Sequence, residues 1–312
     1  MIIVTGGAGF IGSNIIHALN NRGIEDIFVV DRLTSPLQHK NLNDLRFADY
    51  IDQDYFIENL KHFSSAKAIF HQGACSSTTE SDSVYMMKNN YDYSKSLLGF
   101  SLSTKIPFLY ASSASVYGNG DNGFSEERKA EYPLNVYAFS KVLFDRYVMR
   151  LASKPDSQVL GLRYFNVYGP QENHKNSMAS VAQHLYYQLS NENKMRLFEG
   201  SQSFRRDFIH VDDVVKVNLF FLDNGISGIF NCGTGNARSF LDVALILRLL
   251  WGQGEIEYMP FPKELSGKYQ FFTEANISAL REVGFKDNFL TLEDGLERYY
   301  NYLLTSDGYI RD

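Results

Sequence analysis

Residues 1–16 read MIIVTGGAGFIGSNII. A short apolar run, IIVT, leads into Gly6, Gly7, Gly9 and Gly12, and apolar positions then resume at Ile11, Ile15, Ile16 and Leu19. That last spacing is helical, and Gly23 supplies its stop. A glycine inside a helix or strand costs about 0.5–1 kcal/mol relative to alanine, so four in seven positions mark backbone that must turn tightly or approach something closely. Gly7-Ala8-Gly9-Phe10-Ile11-Gly12 fits GxGxxG, and Thr5–Gly12 also reads TGxxGxxG. The pattern stands where its mechanism requires, between a strand and a helix. Its early glycines, Gly6 and Gly9 among them, allow the turn and let the backbone reach a pyrophosphate; Gly12 lets helix and strand pack closely. The free N–H groups and dipole of the helix start then face the anion. Asp31 follows Gly12 by nineteen residues, at the end of IFVVD, placed to bind an adenosine ribose. Arg32 comes next and can pair with a ribose 2′-phosphate, which favours NADP over NAD.

Outward from this turn, strand-like and helical patterns alternate. IFVVD, AIFH and PFLYASS read as the second, third and fourth strands, and QVLGLRYFNV as another. VYMMKNNYDYSKSLLGFSLS and residues 134–151 read as helices. The alternation predicts an α/β protein: a Rossmann doubly wound parallel sheet with a smaller, interleaved C-terminal substrate domain. The dinucleotide-binding part is expected at 1–165 plus about 206–236, and the substrate part at about 166–205 plus 237–312. Within the latter half, residues 177–189 and VDDVVKVNLFFLDN read as helices and GIFNCGTG as a late sheet strand.

The 312 residues are 44% hydrophobic and 21% charged, which excludes wholesale disorder. The net charge of −6 argues against nucleic-acid binding, so an anionic ligand needs a local basic cluster. Cys75 and Cys232 form no CxxC pair, and neither a disulfide framework nor a metal site is expected. There is no signal-like N-terminus and no uninterrupted apolar span of membrane length; Arg248 breaks LDVALILRLLWG. The expectation is a cytoplasmic protein without membrane contact.

LYASSASVYG places Ser112 and Ser113 at the carboxyl end of a strand, the edge where open α/β sheets bind ligands. Tyr137 follows Ser113 by twenty-four residues, with Lys141 four further on. On a helix, positions i and i+4 share one face, so phenol and ammonium can enter one pocket. A tyrosine near its ordinary pKa of about 10 is a poor base at neutral pH. A neighbouring Lys⁺ and a nicotinamide cation would lower that value, while Ser113 holds the reacting oxygen. YxxxK alone usually marks an amphipathic helix; after a nucleotide turn and a strand-end serine it points to hydride transfer.

TGGAGFIG, SSASVYG, YAFSK, RYFNVYGP and RRDFIHVDDVV together resemble the extended short-chain dehydrogenase/reductase family of nucleotide-sugar enzymes. FHQGACSSTTE, YMMKNNYDYSK, RYFNVYGPQENHKNSMASVAQHL, LFEGSQSFRRDF and GKYQFFTEANISALREVGF resemble its nucleotide-sugar epimerases along essentially the whole chain. The resemblance implies an isomerase that oxidises one sugar carbon transiently with bound NADP and reduces it from the other face, acting as a homo-oligomer, by family habit a pentamer. Two acid/base groups on opposite sides of the carbonyl serve such an inversion. Tyr137 matches one. From chemistry alone Lys175 reads equally as a loop lysine beside a diphosphate; the resemblance implies the second acid/base group. It further implies cofactor contacts at Phe10, Ile11, Gln72, Gly73, Ala74, Cys75, Ser76, Asn89, Lys141, Val167 and Lys175. Substrate contacts fall on Asn166, Ser177, His184, Phe198, Glu199, Gly200, Ser201, Arg206 and Tyr269, with Arg206 suited to clamp a diphosphate. Gln38 and Gln53 stand where relatives carry lysines near the adenosine phosphate, which weighs against NADP; Arg32 or Lys40 can compensate. A dehydratase of the same fold would carry an Asp-Glu pair after the strand-end serine, where this chain has Ala114-Ser115. A non-catalytic nucleotide sensor would not need Tyr137 and Lys141.

Overall fold

The apolar run before the glycines becomes β1 (Ile2–Thr5), buried along its whole length at the centre of a sheet. The computed structural model describes residues 1–78, 80–151, 156–262 and 270–311. The first half adds α1 (Phe10–Asn21), β2 (Ile27–Asp31), β3 (Asp49–Asp52), α2 (Gln53–Glu58) and β4 (Ala68–His71). It continues through α3 (Ser83–Met87), α4 (Tyr93–Thr104), β5 (Phe108–Ser113), α5 (Val136–Leu151) and β6 (Val159–Tyr164). The second half holds β7 (Asn166–Tyr168), α6 (Val181–Glu192), β8 (Lys194–Phe198), β9 (Arg205–His210), α7 (Val211–Asn224) and β10 (Gly228–Cys232). β11 (Ala237–Ser239), α8 (Phe240–Trp251), β12 (Glu255–Met259), α9 (Ser278–Glu282) and α10 (Leu292–Ser306) complete it.

Among the described residues, seven strands pair in the order β10-β6-β5-β4-β1-β2-β3, every pair parallel. The order reverses between β1 and β4, which opens a crevice at the carboxyl ends of those strands. Successive β1 residues serve opposite faces. Ile2 and Val4 join a core with Ile15 and Ile16 of α1 and Val214 and Phe221 of α7. Ile3 joins Leu97 of α4 and Phe144 and Val148 of α5. Covered on both faces, the strand reads as a continuous apolar run rather than an alternating one.

The second half builds two small sheets, β11-β9-β7 and the parallel pair β12-β8. A separate core lies beneath them, with Leu185 and Leu189 of α6, Val243 and Leu247 of α8, and Leu296 and Leu303 of α10. No helix among the described residues is long and apolar enough to cross a membrane.

Four local readings of the sequence need correction. β3 was not foreseen: at the sheet edge only Ile51 of DYID is buried, so the apolar pattern is too thin to see. QVLGLRYFNV is two strands. β6 stays in the main sheet, and after Phe165 the chain leaves it so that β7 pairs with β9. The helix expected at 177–189 begins at Val181, capped by Ser180; residues 173–178 form a 3₁₀ turn broken at Asn176, whose φ is 49°. Residues 84–103 are not one regular helix, because a π turn over Lys88–Asp92 separates α3 from α4. Such turns recur at functional sites, and this one carries Asn89 and Asn90 into the crevice.

Candidate active site

The glycine turn is shaped by close approach. Gly6 has φ 67°, and a Cβ there would lie 2.5 Å from the Gly73 amide nitrogen. A Cβ on Gly12 would lie 2.1 Å from the Gly6 carbonyl oxygen. Gly9 caps α1 without a side chain, so the first N–H groups of the helix point into the crevice uncovered. The Asp31 carboxylate accepts from the amides of Ala8 (2.9 Å) and Arg32 (2.7 Å), tying the end of β2 to the turn. Burial pushes its pKa up to about 6 against those two donors.

Around Asp31 the side chains sort differently from their sequence reading. β2 and β3 pair with Asp31 opposite Asp52, which brings Asp54 to Arg32. The Arg32 guanidinium is therefore ion-paired with Asp54 and also donates to Asn89 Oδ1 (3.2 Å). Gln38 is buried, and its Oε1 accepts from the Ser35 amide (2.9 Å), so it shapes the 34–38 turn. Gln53 is half-buried at the start of α2. Two features fit a dinucleotide to this crevice: no side chain caps the start of α1, and Arg32 Nε and Gln72 Nε2 are buried donors without a partner among the described residues.

The catalytic candidates come together at the end of β5. Ser113 Oγ accepts from the Ser115 amide (3.2 Å) and hydroxyl (2.9 Å) and is hydrogen-bonded to Tyr137. Lys141 Nζ lies 6.0 Å from the Tyr137 ring centre and donates to the Ala111 carbonyl (2.8 Å). Burial pushes the lysine down to about 8, opposed by nearby Asp145. The expected lowering of the Tyr137 phenol is not present in the protein by itself. Burial raises it, and Ser113 opposes that only in part, because Lys141 is turned toward the strand.

The 72–76 segment lines the same crevice. Gln72 Oε1 accepts from the Tyr164 hydroxyl (3.1 Å), the Gly73 amide faces Thr5 Oγ1 (3.4 Å), and Ala74 and Ser76 are exposed. Cys75 is held on both sides by Asn90, which accepts from its amide (2.8 Å) and donates to its carbonyl (2.9 Å). Across the turn, Lys175 Nζ lies 4.8 Å from the ring centre of buried Phe10 and 3.1 Å from Glu172 Oε2. Ile11 and Val167 are half-buried against the core of the α1 face.

The substrate candidates divide into groups. Asn166 is exposed, with Oδ1 accepting from Thr273 (3.4 Å). Phe198 stacks edge-on against Phe261 at 5.5 Å, ahead of the turn holding Glu199, Gly200 and Ser201. The buried Arg206 guanidinium sits 5.6 Å from the Phe240 ring centre. Ser177 is exposed in the 3₁₀ turn. His184 lines a cavity of about 380 Å³ with Lys40, Asn176, Tyr187 and Tyr309, whose lining includes none of Ser113, Tyr137 and Lys141. Tyr269 lies outside the described residues; Gln270 donates to the Gly118 carbonyl in the loop after β5.

Several residues that shape the site were not read from the sequence. Asp145 continues the i, i+4 series from Tyr137 and Lys141, and that spacing was available. It is buried and accepts from Ser112 (2.9 Å), Tyr110 (3.0 Å) and Arg163 Nε (2.9 Å). Arg163, fully buried, also reaches Glu131 (2.5 Å) and Tyr117 (3.0 Å). His71 bridges Thr5 (2.6 Å) and Ser94 (2.8 Å), and burial beside Lys141 pushes its pKa down to about 3, so it is neutral. Glu172 stands three residues before Lys175.

The model of the NAD dependent epimerase/dehydratase family matches residues 2–233. The ADP-L-glycero-D-manno-heptose-6-epimerase of Brachyspira hyodysenteriae (strain ATCC 49526 / WA1) is 57% identical over 317 residues, covering 99% of this chain and 100% of that one. Among solved structures, the ADP-L-glycero-D-manno-heptose-6-epimerase of Helicobacter pylori is 32% identical with TM-score 0.87, covering 97% of this chain and 96% of that one. The UDP-glucose 4-epimerase of Thermotoga maritima, solved with UDP-glucose, is 27% identical with TM-score 0.84, covering 98% and 99%.

Proposed function

We infer that this chain, which belongs to the NAD dependent epimerase/dehydratase family, is an isomerase that inverts the sixth carbon of ADP-D-glycero-D-manno-heptose to give the L-glycero epimer. The observation that carries the chemistry is the meeting of Ser113, Tyr137 and Lys141 beside the glycine turn, at the carboxyl ends of the central strands. The near-complete match to an enzyme of this activity carries the substrate.

A nicotinamide dinucleotide is the cofactor, held by the glycine turn, the start of α1 and Asp31. When bound, it supplies reversible hydride transfer to and from the sixth carbon. Tyr137 exchanges the proton of the C6 oxygen on one side, and Ser113 hydrogen-bonds that oxygen. Lys141 supports the phenolate by its charge. Lys175 serves as acid/base on the opposite side, so the two epimers, whose hydroxyls point to opposite sides, are each oxidised with a different base. Asn166, Arg206 and the 198–201 turn bind the nucleotide sugar. The product is a heptose donor for lipopolysaccharide core synthesis. The enzyme works in the cytoplasm as a homo-oligomer, by resemblance a pentamer.

For the cofactor's finer identity the reading is NADP, supported by Arg32 beside Asp31. Its ion pair with Asp54 is solvent-exposed and of the weak kind a phosphate can displace. Arg32→Ala is expected to weaken NADP⁺ binding by about tenfold or more, with NAD⁺ affinity held within about twofold, by titration calorimetry of cofactor-free protein. An equal loss for both, or none, removes Arg32 from the 2′-phosphate.

The activity is tested by incubating the purified protein with ADP-D-glycero-D-manno-heptose, without and then with added NADP⁺ or NAD⁺. The epimers are separated by chromatography and identified by NMR. Conversion to the L-glycero epimer with no net reduced cofactor is the expected result. No conversion under any of these conditions removes the heptose assignment.

A further inference from the structure

The segment carrying Lys175 is held in an unusual way. Residues 173–178 form a short 3₁₀ turn, and two non-glycine residues have positive φ, Gln171 at 80° just before it and Asn176 at 49° within it. Such conformations cost of order 1–3 kcal/mol each and persist only where the surroundings over-determine them. Here the surroundings converge on one side chain. Glu172 is fully buried, and its carboxylate accepts from the Gly169 amide (3.3 Å), the Ser180 amide at the cap of α6 (2.8 Å) and Lys175 Nζ (3.1 Å). The first two bonds fix the carboxylate to the backbone on either side of the turn. The third then holds the tip of a side chain that carries about 2 kcal/mol of rotamer entropy when free. Lys175 is itself only 21% exposed and faces Phe10 at the start of α1.

We propose that Glu172 is the positioning residue of Lys175: anchored to the backbone at both ends of the turn, it aims the ammonium across the crevice toward the side opposite Tyr137. The proposal rests on Lys175 as the second acid/base group. Glu172 is fully buried and bonds the turn backbone and Lys175, so its removal is expected to act through Lys175.

The test compares Glu172→Gln, Glu172→Asp and Lys175→Met in the full chain, each started from either pure epimer, with reduction of the nicotinamide followed by its near-ultraviolet absorbance. Lys175→Met is expected to block reduction by one epimer and spare it with the other. Glu172→Gln is expected to slow single-turnover nicotinamide reduction by the same epimer by about 10–100-fold, with the half-saturating substrate concentration and the calorimetric cofactor affinity within about threefold. Glu172→Asp keeps the charge but sets it back by one methylene, and is expected to restore part of the rate. Equal slowing of the reduction step with both epimers, or a change confined to substrate or cofactor affinity, overturns the positioning role. If Glu172→Gln does not fold, the same comparison is made with Glu172→Asp, and slowing of only the Lys175-dependent epimer supports the role while equal slowing overturns it. If Lys175→Met epimerises at the wild-type rate, the acid/base reading of Lys175 fails and the proposal with it. A dead Lys175→Met beside a normal Glu172→Gln overturns the proposal alone.

Discussion

Tyr137→Phe is expected to lower kcat for epimerisation by about 10²–10⁴-fold, the range for losing a positioned acid/base group. The substitution removes one oxygen from a half-buried ring and leaves the ring's packing in place, so the thermal midpoint should hardly move. Cofactor affinity should hold too, because the glycine turn and Asp31 are untouched. The size of the effect follows from the site's electrostatics. Burial raises the Tyr137 phenol, and only Ser113 opposes it by a direct hydrogen bond. Without the phenol, the hydroxyl of one epimer has no base on its side, and inversion needs both sides. Initial rates by epimer chromatography check this; a variant retaining turnover within about tenfold would remove Tyr137 from the proton transfer.

Arg163→Met is expected to give the largest loss of stability. The guanidinium is fully buried between the Asp145 and Glu131 carboxylates and over the Tyr117 ring, at 5.1 Å from its centre. Methionine fills much of the volume but leaves two buried carboxylates facing each other without their shared cation. Breaking a buried ion pair from one side costs about 3–5 kcal/mol, against a total of about 5–15 kcal/mol for a typical protein. Arg146 still pairs with Glu131 (2.9 Å), and Ser112 and Tyr110 still bond Asp145, which keeps the loss within that range. Denaturant unfolding measures it. Adding Asp145→Asn and Glu131→Gln should recover part of the loss, because the stranded charges are then gone. A single-variant loss below about 1 kcal/mol would mean that water or rearrangement satisfies the carboxylates. Activity should fall as well, since Asp145 fixes Ser112, the neighbour of Ser113.

Much of the site is legible in the sequence because its signals are local. The glycine turn, Asp31 at a strand end, and Tyr137 with Lys141 one helical turn apart each lie within a single element or the joint between two. The less legible parts depend on pairing between distant segments. Arg32 alone reads as a free cation for a phosphate, yet the β2–β3 register sets Asp54 against it. That register could not be read, because β3 buries only Ile51. Asn89, expected at the cofactor, accepts from Arg32, and its neighbour Asn90 in the π turn holds the Cys75 segment, a contact that the sequence does not show. Asp145 was visible at the right helical spacing, but its importance comes from Arg163 on β6. His184, expected among the substrate residues, lines a cavity with Lys40, Asn176 and Tyr309, a grouping of distant segments that the sequence does not show.

The sequence by itself determined the class of fold, the glycine turn and the placing of Tyr137 and Lys141 on one helix face, because turn chemistry and helical or strand periodicity act between near neighbours. Tertiary structure alone decided which charges stand alone and which are paired. Arg32 with Asp54, Arg163 with Asp145 and Glu131, and Lys175 with a buried Glu172 follow from strand register and burial. A charge's energy depends on the dielectric around it and on partners within a few ångströms, and neither quantity exists until the chain has folded.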